Sequence, residues 1–480
     1  MSFLDELQKT TNKTKYTLNG AATNDSTLDA NLDYFSLAGA MRSRAGDTRD
    51  LFAKAFAKDP LTALRTLFYL RDIRGGQGER DVFRAGLQEL EDIAPEVAKN
   101  VVSNDYIGEY GRYDDLLSFR NGETLAAVAE FVKAKLAEDE KAMKSGETVS
   151  LLAKWLPSEN ASSRDSRKQA LALSELLGLK PSQYRKKIVA LRKYIKLLEQ
   201  QMSTNQWKEI DYSKIPSQAS RKHVKAFMRH DEDRYRDFLG KVQKGEAKMN
   251  AGTVYTYEVF DMIKNRNEEA ANAMWKSLPD YTNGTDALVL ADVSGSMVGR
   301  PMSVSVSLAL YFAERNKGIF NNKFMTFTDK PQVVDVVGST LTQKMRFIES
   351  SEWGMSTNLE AAFDAILTAA LNSGQGNDGM PKTLYVVSDM EFDQAVSDPS
   401  ETVFENAKRK FSAHGLTLPH VVFWNVYSWQ NQAPATKFDN NVTLISGLSQ
   451  STFQHAVNGK TPTELMLDVV NSDRYNKIKL

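Results

Sequence analysis

An α-helical repeat domain followed by an α/β doubly wound domain is the fold that this sequence of 480 residues predicts. Three observations predict it. Apolar residues recur at three- and four-residue spacing from about residue 31 to 275, with no strand signal between them. After about 285 the pattern gives way to short β-branched and aromatic runs. Those runs alternate with helix-like stretches over the last ~190 residues, as the strands and crossovers of a mostly parallel sheet do.

Taken in order, residues 1–30 are rich in Thr, Asn, Asp and Gly and are expected to form an irregular lead-in. Residues 31–280 form the helical domain. DLFAKAFAKDPLTALRTLFYLRDI, ERDVFRAGLQELEDI and ETLAAVAEFVKAKLAEDEKAM carry its clearest periodicity, and RGGQGER and SFRNGE punctuate it. Successive helix pairs of this kind suggest a solenoid-like repeat. Residues 285–480 form the α/β domain. Its strands are expected in DALVLADVS, NKFMTFTD, PQVVDVV, KTLYVVSD, LPHVVFWNVY and NVTLIS. Its helices are expected in SVSVSLALYFAERN, TNLEAAFDAILTAA and ETVFENAKRKFSA.

Composition excludes several chemistries. There are no cysteines, so thiolate zinc sites, iron–sulfur clusters, disulfides and cysteine nucleophiles are out. The five histidines include no HExxH pair. No apolar run approaches the ~20 residues of a membrane span, and the start, MSFLDELQKT, lacks a signal-peptide pattern. A soluble, cytoplasmic protein is expected. Charge balances at 61 against 61, but unevenly. Residues 161–250 hold 21 Lys/Arg against 10 Asp/Glu, whereas 286–480 hold 16 against 20. A basic middle is thus joined to an acidic end.

The stretch LVLADVSGSMVGRP (289–302) ends a predicted strand on Asp292, Ser294 and Ser296. Parallel sheets bind ligands beyond the carboxyl ends of their strands. One carboxylate with two hydroxyls offers hard oxygen donors, suited to Mg²⁺, and also to Mn²⁺ or Ca²⁺. Further donors are expected from other strand-end loops, with Thr357 in EWGMSTNLEAAF and Asp389 in LYVVSDMEFD as the candidates. Helix capping is the competing use of such residues. A serine hydrolase is disfavoured because GxSxG is absent; Met297 stands at the centre between Gly295 and Gly299. A two-metal nuclease needs more converging carboxylates, although Asp389, Glu391 and Asp393 keep that alternative in view.

DVSGSM, WGMSTN and SDMEFD, in this order, resemble the von Willebrand factor A module with its metal-ion-dependent adhesion site. Upstream stand RDIRGGQGER (71–80), EYGRYDDLL (109–117), KWLPSENASS (154–163), YRKKIVALRKYIKLLEQQMS (184–203) and GEAKMNAGTVY (245–255). The ordered set is similar to the TROVE-like family, an uncharacterised branch related to the Ro ribonucleoproteins, over nearly the whole chain. The resemblance implies a HEAT-like, TROVE-like helical scaffold that binds small RNAs and a Rossmann-like module that holds Mg²⁺. The implied metal ligands are Asp292, Ser294, Ser296, Thr357 and Asp389. The loop reads Gly354-Met355-Ser356-Thr357 where the family has Gly-Gly, so Ser356 stands as the alternative to Thr357 for the one loop ligand.

Fold kinship does not transfer RNA binding, so the cations must carry it. On a helical wheel Arg185, Arg192 and Lys196 fall near one line, with Lys186 and Lys193 further round. A second cluster, Arg221, Lys222, Lys225 and Arg229, is interleaved with His223, Phe227 and His230, rings able to stack on bases. Docking on the acidic module and plain solvation are the bland alternatives. RGGQGER lacks the lysine and hydroxyl of a P-loop and reads as a tight turn between helices. His414, His420 and His455 are expected to be structural. The sequence thus predicts a noncatalytic RNA-binding protein whose partner is a small structured or single-stranded-ended RNA. Its metal module would contact an acidic protein partner. An assembly scaffold that never touches nucleic acid is the alternative.

Overall fold

The α/β half is built on a six-stranded mixed sheet, seen here in a computed structural model that describes residues 2–13, 15–282, 286–349, 354, 356–394, 398–455 and 460–480. Two short strands precede it, β1 (Lys15–Tyr16) and β2 (Ala22–Thr23), paired as an antiparallel hairpin. The main sheet contains β3 (Ala287–Ala291), β4 (Lys323–Thr326), β5 (Gln332–Asp335), β6 (Thr383–Ser388), β7 (His420–Asn425) and β8 (Val442–Ser446). Its order is β5-β4-β3-β6-β7-β8, and all neighbours are parallel except the edge pair β4–β5. Strands β3, β6, β7 and β8 are buried along their whole length, the pattern of a sheet covered on both faces. Each of the six runs singled out in the sequence contains one of these strands.

The upstream half is helical. DLFAKAFAKDPLTALRTLFYLRDI divides into two helices, Thr48–Lys58 and Pro60–Arg71, because Asp59 caps the second and Pro60 occupies its first turn. RGGQGER makes the turn between Pro60–Arg71 and Arg80–Ile93. Two of its glycines serve different needs. A side chain at Gly76 would strike the Tyr69 carbonyl, and Gly78 has φ of +70°.

The lead-in is not irregular. Helix Phe3–Asn12, capped by Ser2, and the β1–β2 hairpin lie against the α/β half, where Lys9 pairs with Asp439 and Glu405. Their polar composition reflects hydrogen bonding to that half, which local sequence does not reveal.

The two halves share one continuous core. Helix Ala30–Leu37 packs on β8, and helix Thr256–Lys264 packs on helix Arg300–Arg315. At the junction the Ser451 hydroxyl donates to the Gly76 carbonyl and the Tyr255 hydroxyl to the Gln77 carbonyl. The tail crosses back to the helical half. Tyr475 is buried against Tyr69 and Tyr110, and Arg474 pairs with Asp72 and Glu109. No described helix is long and apolar enough to cross a membrane.

Candidate metal centre and basic cavity

The backbone of β3 continues its ladder one step past the strand, with Asp292 N–H donating to the Val387 carbonyl. That step fixes Asp292 at the sheet's carboxyl edge beside the end of β6. One Asp292 oxygen accepts from Ser294 N–H at 2.9 Å and the other from the Ser388 hydroxyl at 2.5 Å. Ser294 and Ser296 hydroxyls lie 3.1 Å apart. The Ser296 hydroxyl also lies beside Asp389. Gly299, at φ of +97°, then turns the chain into helix Arg300–Arg315, with Pro301 in its first turn.

Asp389 enters from the end of β6. Met390 behind it takes φ of +66°, a left-handed conformation rare for a non-glycine residue. Asp389 accepts from Glu391 N–H at 3.1 Å and from the Trp429 indole N–H at 3.0 Å. Four of the five expected ligands therefore meet at one edge of the sheet. Thr357 is buried beside it and is held differently. Its N–H donates to Asp393 at 2.8 Å, and its hydroxyl accepts from the Asn19 amide at 3.4 Å. Ser356 turns away, accepting the Asp329 N–H at 2.8 Å, so Thr357 is the loop residue on the side of the site. Trp353 and Met355 of WGMSTN lie outside the described residues.

Burial is the first electrostatic fact about this group. It raises the Asp292 carboxyl to about 7, with the neighbouring Asp389 charge adding to the rise. Burial also raises Asp389, Glu391 and Asp393. Among the described residues neither Asp292 nor Asp389 has an ion pair, so their charge lacks a protein counterion. Hard oxygen donors around two uncompensated carboxylates fit a divalent ion such as Mg²⁺. The group carries few carboxylates, and no cluster of three or more His, Asp or Glu suited to a metal occurs among the described residues.

The cationic stripe is dispersed. Helix Pro181–Ile195 ends before Lys196, which sits in the left-handed region at φ of +54° and leaves the wheel. Arg192 points inward and donates to the Ala153 and Leu156 carbonyls at 2.8 and 2.7 Å, and burial lowers its pKa. Arg185 pairs with Glu159, while Lys186 and Lys193 are exposed. In the second cluster Arg221 pairs with Glu258, and Lys222, Lys225 and Arg229 are exposed. Its rings do not line up for bases. Phe227 is wholly buried against Tyr212 and Tyr235, and His230 stacks on Trp207 at 4.4 Å.

Arg192 and Lys222 nevertheless meet at one place, a cavity of about 1020 Å³. Eight Lys/Arg side chains line it against four carboxylates. Among the described residues Lys154, Lys222 and Arg300 have no ion pair. Trp155 carries Arg112 on its face at 4.2 Å, and Tyr255 and Tyr257 stack at 5.6 Å beside it. Arg300 belongs to the helix that follows the Asp292 loop. Lys154, Trp155 and Arg112 stand in segments quoted above for their resemblance, but periodicity gave them no role. Arg112 comes from a different turn than Lys154 and Trp155, and only the tertiary fold brings them together.

Of the three histidines expected to be structural, two are packed within the fold. His420 is buried between Asn441 and Thr443, and His455 packs edge-on to Tyr69. His414 is exposed at a helix end.

Residues 286–475 match a family model described as a domain of unknown function (DUF7788). Residues 17–103 and 164–285 match a second, also described as a domain of unknown function (DUF2828). The chain is similar to an uncharacterized protein of Acanthamoeba polyphaga mimivirus, at 29% identity over 505 residues, covering 97% of this chain and 86% of the relative. No solved structure matches. All five candidate metal ligands fall within the first matched region, whereas the cavity draws on both regions and on the segment between 103 and 164.

Proposed function

We propose that the chain is a noncatalytic RNA-binding protein. Its helical half takes RNA, and its α/β half is a von Willebrand A-type module that uses a divalent ion to contact a partner. The observation that carries the RNA reading is the cavity, where cations outnumber carboxylates two to one beside three aromatic rings. Unpaired cations meet phosphates and aromatic faces meet bases, the combination that single-stranded nucleic acid requires. A bound divalent ion would be held by Asp292, Ser294, Ser296, Thr357 and Asp389. It would supply the positive charge that the two buried carboxylates lack. Intracellular, cytoplasmic residence follows from this reading.

The test is a salt titration by fluorescence anisotropy, using a structured RNA with a single-stranded end. Replacing Lys154, Lys222 and Arg300 together by Ala should flatten the slope of log affinity against log salt by about two units, at ~0.7 per phosphate contact. Equal binding by the triple variant would remove the cavity from the RNA site. Failure of the wild type to bind at low salt would favour a protein-assembly scaffold. That alternative has an observation of its own, since Arg185 and Arg221 are matched by carboxylates of this chain. RNA cleavage in Mn²⁺ that disappears in Asp292→Ala would turn the reading toward a nuclease.

A further inference from the structure

The candidate metal site faces this chain's own N-terminal segment. Asn19 lies at the centre of the contact, its amide donating to the Thr357 hydroxyl at 3.4 Å and to the Glu391 carbonyl at 2.6 Å. Leu18 N–H donates to the Glu391 carboxylate at 2.6 Å, and the Thr17 hydroxyl donates to the Phe392 carbonyl at 2.6 Å. Gly20 bridges to Asp393, the residue that also holds the Thr357 backbone. A second loop closes the same side. Trp429 occupies one oxygen of Asp389, and Gln430 donates to both the Tyr16 carbonyl and Glu391. Every loop that supplies a candidate ligand, apart from 292–296 itself, is thus tied to residues 16–20 directly or through one side chain.

The way this segment is held matters as much as where it lies. Its attachments are hydrogen bonds, which exchange for water at a net cost of only about 0.5–1.5 kcal/mol each. Little apolar surface anchors it. Leu18 is 67% exposed and Tyr16 is 62% exposed, and the buried apolar residues of the hairpin are the small Ala21 and Ala22. Two ends restrain it: Lys9 and Lys13 pair with Glu405, and the Asn24 backbone is bridged to Ala433. Segments with few buried apolar contacts and many polar ones open at low free energy.

We infer that residues 17–20 are the resident, displaceable occupant of the metal site's outer face. A carboxylate from an outside partner reaches a bound ion only after this segment lifts, hinged at Asn24. The inference rests on the metal reading above and adds the regulation of that site.

Mn²⁺ is the probe, added to the full chain. Electron paramagnetic resonance counts bound ions, and water-proton relaxation per bound ion reports how freely water reaches them. Hydrogen exchange at the Leu18 and Ala21 amides follows the segment in the same samples. Two variants loosen it in different ways. Asn19→Ala removes the central contact, and Lys9→Glu with Lys13→Glu breaks the anchor far from the ion. Both should bind Mn²⁺ with unchanged stoichiometry and raise relaxation per ion about twofold, as extra water exchanges at the ion. Amide exchange at Leu18 should quicken roughly tenfold, matching the loss of one or two hydrogen bonds. If Mn²⁺ binds and relaxation is the same in wild type and both variants, the occupant role is overturned and the metal reading stands. If no Mn²⁺ binds to any of the three proteins, both fall.

Discussion

The Asp292 loop and the Pro181–Ile195 helix each offered a sequence pattern with a chemical meaning, and the structure treated them differently. In the loop, residues two apart came together with the end of the neighbouring strand β6 through hydrogen bonds of 2.5–3.1 Å. On the helix, the cations expected to form one stripe went to separate ends: a carboxylate for Arg185, backbone carbonyls for Arg192, a left-handed cap for Lys196. A strand end is fixed by register with its neighbours, so the residues just beyond it have little freedom. A long cationic side chain on a helix face can swing to whatever carbonyl or carboxylate the tertiary fold presents, and a wheel does not register that.

The sharpest way to break this comparison is Asp292→Ala. It removes a charged donor, and calorimetry with Mn²⁺ should show more than about 100-fold weaker binding, beyond the range typical of outer contacts. Ser296→Ala should cost about tenfold. Since burial and Asp389 raise the Asp292 carboxyl to about 7, protons should compete with the ion. Wild-type affinity is therefore expected to fall by up to about tenfold per pH unit below 7. Equal affinity in Asp292→Ala would dissolve the distinction between loop and helix.

Arg192→Ala tests the other side. Two hydrogen bonds from a charged donor to otherwise unmet carbonyls are lost, so denaturant unfolding should show a destabilisation of about 2–3 kcal/mol. Little change in the RNA salt slope should accompany it. A flattened slope with intact stability would place Arg192 among the RNA contacts. A smaller effect is expected at the junction of the halves. Burial holds the His455 imidazole down to about 4, against an ordinary 6.5, so the unfolded chain binds this proton at higher pH than the folded one. The stability it contributes when neutral is lost as pH falls from about 6.5 toward 4. Melting curves of His455→Gln should therefore decline less steeply than wild type between pH 7 and 5. The smallest effect belongs to Lys186→Ala with Lys193→Ala: both side chains are exposed, and RNA affinity at physiological salt should be unchanged in the same anisotropy assay.

Much of the framework was legible in the sequence. The six short apolar runs contain the six strands because β-branched clusters bounded by polar breaks have few other uses. The change to an α/β pattern near 285 was equally plain. What stayed hidden came from distant segments. Asn19 and Trp429 touch the candidate metal site through single hydrogen bonds, and neither stands in a pattern that local spacing could mark. Lys154, Lys222 and Arg300 face one cavity from three separate helical segments, so no window of sequence contains them together. The helix at Phe3–Asn12 was missed because its exposed Phe3, Leu4 and Leu7 are too few for a clear apolar stripe among polar residues.

The returning tail has a consequence for how the chain acquires its shape during synthesis. Ribosomes deliver the helical half first, yet Tyr69 and Tyr110 in that half pack against Tyr475, and Asp72 pairs with Arg474. Until those late residues emerge, a surface of aromatic rings and a nearly buried carboxylate stay uncovered on the nascent protein. Such a surface is a natural target for chaperones and a route to aggregation if translation stalls before Arg474. A stop codon a few residues before Arg474 would therefore harm the half of the molecule made earliest, far from the lesion in sequence and adjacent to it in space.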